Sequence, residues 1–198
     1  GGGYALNGTG YNGLFNLSYG TKKVVANVNA VYRKFENYSD GNGNEVMYSQ
    51  FEKMNLAANI RYRVTENQIA RFDFIIDNAH NIGYAALPMD VSFARAKIFG
   101  ASYQWYLDGF LTSANAKVYF HYIDHAIDDS QRPDVPIRMD MPGQSETYGG
   151  FLEATTKGFG AHKMYAKAEV FSNFRHAEMT MYPPNTTEPP MFMLTWPD

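Results

Sequence analysis

The amino-acid sequence predicts an all-β chain, an antiparallel up-and-down transmembrane β-barrel of which about eight strands lie within the 198 residues. Three observations carry that expectation. Apolar and polar residues alternate with period two in segment after segment, which places successive side chains on opposite faces of a strand. Several of these segments exceed ten residues, whereas strands of globular proteins run to about five or six and membrane-crossing strands need about nine to eleven. The connections alternate short and long, so that in an up-and-down barrel every tight turn falls on one rim and every long loop on the other, as in bacterial outer-membrane barrels.

The first strand is expected near 11–19 and the second near 22–35, where Val24, Ala26, Val28, Ala30 and Tyr32 form an apolar row against Asn27, Asn29 and Arg33. The third, near 51–64, sets Leu56, Ala58, Ile60, Tyr62 and Val64 against Asn55, Asn59, Arg61 and Arg63. The fourth and fifth, near 67–78 and 91–107, add Arg71, Asp73, Arg95 and Lys97 to the polar side. Near 111–125 Ala114, Ala116, Val118, Phe120 and Tyr122 oppose Asn115, Lys117 and His121. The last two strands are expected near 146–157 and 162–175, the latter with Met164, Ala166, Ala168 and Val170 against Lys163, Lys167 and Glu169. Tight turns are expected at Gly20-Thr21, Thr65-Glu66, Asp108-Gly109 and Gly158-Phe159-Gly160-Ala161, and long loops at 36–50, 79–90 and 126–145, with a tail rich in Pro, Met and Thr from Ala177 onward.

Long strands with one charged face suit a wide barrel with a polar lumen and a lipid-facing apolar row, in which Tyr19, Tyr32, Tyr62, Tyr106 and Tyr122 near strand ends are candidate interface girdles. Two other architectures share the alternation. One is a self-contained eight-stranded outer-membrane barrel with an adhesive or structural role, whose narrow interior would need carboxylate partners for Arg61, Arg71, Arg95, Lys117 and Lys167. The other is a soluble ligand-binding β-barrel, which would turn its polar face to water.

Composition narrows the function. A net charge of −3 argues against a nucleic-acid partner, and the lack of cysteine excludes disulfide scaffolds, thiolate metal sites and cysteine catalysis. Nucleophile elbows, paired carboxylates and metalloprotease helices are absent, and the glycines of Gly8-Thr9-Gly10 and Gly41-Asn42-Gly43 precede no helical pattern, so no enzyme is expected. The sequence begins with three glycines, without Met and without a signal-like segment, which reads as a mature or internal piece of something longer.

Two stretches resemble a known family. Asn81-Ile82-Gly83-Tyr84-Ala85-Ala86-Leu87-Pro88-Met89-Asp90 followed by Arg95-Ala96-Lys97, and Asp128-Asp129-Ser130-Gln131-Arg132-Pro133 leading through Pro136-Ile137-Arg138-Met139-Asp140-Met141-Pro142 to Thr147-Tyr148-Gly149-Gly150-Phe151, are similar to the central barrel of TonB-dependent outer-membrane receptors. The resemblance covers roughly residues 50–175. It implies a 22-stranded barrel closed around a plug, importing a scarce nutrient such as an iron-siderophore, haem or copper with energy delivered by TonB. Residues 1–198 would then be a partial barrel domain without the plug, in the bacterial outer membrane. Its partners would be outer-membrane lipid, the remainder of the barrel from the same polypeptide or other chains, the TonB complex through the plug, and a surface lipoprotein, with no nucleic acid among them.

The expected external loops carry the chemistry. Met-x-Met occurs at Met139/Met141, Met179/Met181 and Met191/Met193, with Met89, His80, His125 and His176 at the same mouth. Thioether sulfur and imidazole suit soft metals such as copper. The candidate metal ligands are Met139, Met141, His125 and His176, and the broader ligand-binding set adds Tyr84, Met89, Arg132, Arg138, Met179 and Met181. The competing reading is an adaptable apolar lining in which Tyr84, Tyr182 and Phe192 join the methionines around a chelate, haem or protein. No cofactor is required; a metal chelate or copper would be the bound species. His121 reads as an ordinary wall residue, the acidic run Asp124, Asp128 and Asp129 as solvated surface, and Asn185-Thr186-Thr187 as a sequon without meaning in a bacterial outer membrane.

Overall fold

Among the described residues ten strands, each hydrogen-bonded antiparallel to the next in chain order, build one meandering sheet. The structure, a computed structural model, describes residues 1–133, 135–158, 162–184 and 187–197. The strands are β1 (Gly2–Ala5), β2 (Gly10–Gly20), β3 (Val24–Phe35), β4 (Phe51–Thr65), β5 (Gln68–Ile82), β6 (Asp90–Tyr106), β7 (Leu111–Asp128), β8 (Arg138–Thr156), β9 (Tyr165–Tyr182) and β10 (Met191–Trp196). From β2 to β8 the short and long connections alternate as expected, whereas the link 6–9 between β1 and β2 is short on the long-loop rim and the link 157–164 between β8 and β9 is longer than the tight turn expected there. Phe159, Gly160 and Ala161 of that turn, and Asn185 and Thr186 of the sequon, lie outside the described residues. Thr21 shows how a tight turn closes: its hydroxyl accepts from the Lys23 and Val24 amides at 3.2 and 2.9 Å.

Among the described residues the strands number ten, not eight. β1 is glycine-rich and short, with no period-two signal, and forms because Gly2–Ala5 pair with Gly10–Gly13. The tail expected from Ala177 is the end of β9 and all of β10. β8 starts at Arg138, well before residue 146, although Pro142 lacks an amide proton for the ladder. The strands are thus longer at the long-loop rim than their alternation indicates. Met139, Met141, Met179 and Met181, expected in loops, are strand residues, as are His125 and His176.

Pairing register assigns the faces. One row runs Leu17, Val28, Ala58, Phe74, Phe99, Phe120 and Tyr148, and the next Tyr19, Ala26, Ile60, Phe72, Ala101 and Val118, so a single face is apolar across the sheet. Its large side chains are uncovered, with Val170 77% and Leu152 65% exposed, while the only buried hydrophobic residues among those described are Ile69, Ala79 and Val91. Along β9 the apolar face lasts from Ala166 to Phe174, about the nine to eleven residues of a tilted membrane-crossing strand. The opposite face carries Asn59, Arg61, Arg71, Asp73, Lys117, Glu153, Lys167 and Glu169.

Arg95 and Lys97 depart from the expected division. Cross-strand pairing puts Lys97 between Ile76 and Tyr122, and Arg95 between Asn78 and Asp124, on the apolar side of the sheet. Lys97 stands in the last row of the apolar band, with Ile76, Tyr122, Glu146 and Phe174, and Arg95 stands one row beyond it, where the same face turns polar with Asn78, Asp124 and Gln144. Arg95 meets Asp124 in an ion pair and covers the Phe93 ring at 4.2 Å.

Candidate functional site

Beyond the apolar band, β7, β8 and β9 continue toward the long-loop rim and are joined there by β10. On the polar side of this extension the register gathers methionine. Met139 is directly opposite Met181, and Met181 is directly opposite Met191. Two residues nearer the band, Met141 faces Ile127 on one side, and the unbroken register between Asp140↔Thr180 and Gly143↔Ala177 sets it against Met179 on the other. Met179 in turn pairs with Leu194, and Met193 is the extra residue where β10 bulges. Direct cross-strand partners have Cβ atoms about 5 Å apart, so five thioethers share one patch of sheet. Met139, Met141, Met179 and Met181 are half-buried and Met191 is exposed.

His125 belongs to the same face, one row closer to the band. It pairs with Gly143, and its ring lies over that glycine: a Cβ there would stand 2.6 Å from the His125 Cε1 and 2.9 Å from Nε2. The absence of a side chain at Gly143 is what admits the imidazole beside Met141. The His125 imidazole makes no hydrogen bond or ion pair among the described residues. His176 is separated from this group. It pairs with Gln144 on the other face of the sheet, where its Nε2 is 2.9 Å from Glu178 Oε1. The four-residue set Met139, Met141, His125 and His176 is therefore split by the sheet, and the strands substitute Met179, Met181 and Met191 for His176. His80 also lies on the His176 side, paired with Glu52 and Phe93, and His121 stacks on Tyr119 at 5.3 Å between ring centroids.

The loop candidates are organised around one buried cation. Arg132, 8% exposed, donates from Nε to Asp90 Oδ2 at 2.8 Å and from Nη2 to Asp90 Oδ1 at 2.5 Å and the Tyr84 carbonyl at 3.0 Å. Asp90, 2% exposed, also accepts from the Tyr84 amide at 3.0 Å. The hydrogen bond to Asp90 holds the Arg132 pKa above its ordinary value. Arg132 thus ties loop to loop, its Nε and Nη2 committed to Asp90 and Tyr84, whereas Tyr84 itself stays exposed. Arg138 is engaged with Asp129, whose Oδ1 is 3.5 Å from its Nη1. Met89 sits at the end of the 83–89 loop, next to Asp90. Tyr182 and Arg138 are paired on the opposite face from the methionines.

Asp90, Asp129 and Tyr48 were not anticipated. Asp90 and Arg132 are 42 residues apart, and no local pattern marks either as buried. Asp128 and Asp129, expected as solvated surface, are integrated: Asp129 is 1% exposed, and Asp128 accepts from the Ser92 and Ser130 hydroxyls and the Ser130 amide. No group of three His, Cys, Asp or Glu suited to a metal ion occurs among the described residues.

No family model matches this chain, and no curated protein matches it. Among solved structures the chain is similar to Copper transporter OprC, with a TM-score of 0.78 at 21% identity over 93% of this chain and 31% of that one. At this identity the likeness is one of fold, a segment of an up-and-down β-barrel, and the chain spans under a third of the transporter's length.

Proposed function

We propose that this chain is part of an outer-membrane β-barrel receptor that takes up copper, with the methionine face of β8–β10 and His125 as a metal-binding wall at the external mouth. The observation that carries the reading is the cross-strand run Met139–Met181–Met191 with Met141 and Met179 beside it. Methionine ordinarily fills buried gaps. Here five methionines line one side of strands that extend past the apolar band, and soft thioether donors with imidazole select copper, above all Cu(I), over hard cations. The fold shared with a copper transporter agrees with that chemistry and with transport rather than catalysis.

In this reading the apolar face meets outer-membrane lipid, the polar face lines the lumen, and the edges of the sheet, β1 and β10, pair with the remainder of the barrel. Uptake would draw on TonB through a plug, as the resemblance of residues 50–175 implies. The test is a titration of the detergent-purified full-length protein with Cu(I) held reduced, read against the double variant Met139→Leu/Met141→Leu. Leucine preserves volume and removes sulfur. Loss of binding in the variant supports the reading; an unchanged titration removes these residues from the site.

A further inference from the structure

The methionine face exists only in one register. A shift of β8 by one residue against its neighbours would carry Met139 and Met141 to the other side of the sheet. Register is least secure at the end of a strand, and here Pro142 removes a ladder donor within four residues of the start of β8. Something must pin that end.

β7 stops at Asp128, paired with Asp140, so the amide of Met139 has no backbone acceptor left on that side. It donates instead to the Asp129 Oδ2 at 2.9 Å. The Asp129 carboxylate extends the β7–β8 ladder by one bond in place of a carbonyl. It is held firmly for this: Asp129 is 1% exposed, the most completely buried side chain of its size among the described residues, and its own carbonyl accepts from the Arg132 amide at 2.8 Å and from Arg138 Nη1 at 3.3 Å. Arg132 is in turn fixed by Asp90, by the Tyr84 carbonyl and by the ring of Tyr48.

We infer that Asp129 and Arg132 are positioning residues for copper: Asp129 pins the first residues of β8 through the Met139 amide, and Arg132 anchors Asp129 to the adjoining loops, so that Met139 and Met141 stay in register with Met181 and Met179. The inference rests on the copper reading of the methionine face. Neither residue touches the metal. Partners that orient metal ligands typically cost about 10- to 100-fold in affinity when removed.

The experiment compares Asp129→Ala, Asp129→Asn and Met139→Leu in the full-length protein, by competition for Cu(I) against a chromogenic chelator and by X-ray absorption counting of sulfur neighbours. Asp129→Ala is expected to weaken Cu(I) about tenfold and lower the sulfur count, and Asp129→Asn, which retains an acceptor for the Met139 amide, to restore most of both. Wild-type affinity in Asp129→Ala alongside a weakened Met139→Leu overturns the positioning role alone. Wild-type affinity in Met139→Leu overturns the copper reading of the face beneath it. If Asp129→Ala does not assemble, Arg132→Lys decides, since it keeps a charge opposite Asp90 but loses the two-bond fork and the ring contact: weakened Cu(I) supports the relay and unchanged Cu(I) overturns it.

Discussion

The Arg132 guanidinium lies 3.5 Å from the centre of the Tyr48 ring, joining the loop after β7 to the loop after β3. Tyr48 adopts a left-handed backbone conformation to be there, with φ of 61°, and the Gly83 amide secures the neighbouring Gln50 carbonyl at 2.9 Å. Three loops of the long-connection rim, those after β3, β5 and β7, thereby share one buried polar centre.

Breaking that centre from one side should release all three loops. Asp90→Ala leaves Arg132 buried without its counter-charge, a loss of about 3–5 kcal/mol for pairs of this kind. Hydrogen exchange should accelerate together in 36–50, 83–89 and 129–137, and the double variant Asp90→Ala/Arg132→Met should be less affected than Asp90→Ala. Exchange confined to one loop would show that the loops are independent.

Gly83 is required by closeness rather than by its own backbone angles. A Cβ there would fall 2.4 Å from the Tyr48 carbonyl carbon and oxygen. Gly83→Ala should displace Tyr48 from Arg132 and reproduce the exchange pattern of Asp90→Ala, whereas Gly41→Ala, with open space around it, should leave the loops as they are.

The two faces of the sheet should differ in tolerance to charge. Leu152 lies within the apolar band and Thr147 on the polar side. Leu152→Lys is expected to destabilise folding into lipid vesicles by about 2–4 kcal/mol, as charges at the bilayer midplane do, and Thr147→Lys to change it little. Equal losses, measured by denaturant titration of the vesicle-inserted protein, would reverse the face assignment.

The loop after β7 should loosen in acid. Burial opposes ionisation of Asp128, but hydrogen bonds from the Ser130 and Ser92 hydroxyls and the Ser130 amide outweigh it and hold the carboxyl below its ordinary value of 3.8. A depressed folded pKa stabilises fully above the unfolded pKa and loses that contribution as pH falls through the folded one. Proteolysis of 129–137 by an acid-active protease should therefore rise as pH drops below about 4, and Asp128→Asn should flatten that dependence.

Gly143→Ala tests the place given to His125. The added methyl would overlap the imidazole, so copper affinity should fall in the same direction as in His125→Phe, and combining the two should add little. Additive losses would place His125 outside the proposed metal-binding face.

Alternation in residues 24–35, 51–64 and 111–125 was sufficient to find those strands and their apolar rows, because a side-chain period of two survives wherever one face meets a uniform surroundings. The rhythm of tight turns and long loops likewise named the rim on which Met139, His125 and Arg132 stand. The pattern faded at 138–145 and 176–182, where β8 and β9 run past the apolar band and both faces are mixed, so these segments read as loop.

What the sequence determined by itself is thus the local alternation, the strand lengths across the band and the supply of methionine at one rim. Pairing between strands decided the rest. It set Met139, Met181 and Met191 side by side although they are up to 52 positions apart, sent His176 to the far side of the sheet, moved Lys97 and Arg95 onto the apolar side at and just past the end of the band, and buried Arg132 against Asp90. The physical reason is that a strand's alternation states only which residues share a face. Which neighbour stands opposite, and which face turns outward, depends on hydrogen-bond register, and that is a property of the assembled sheet.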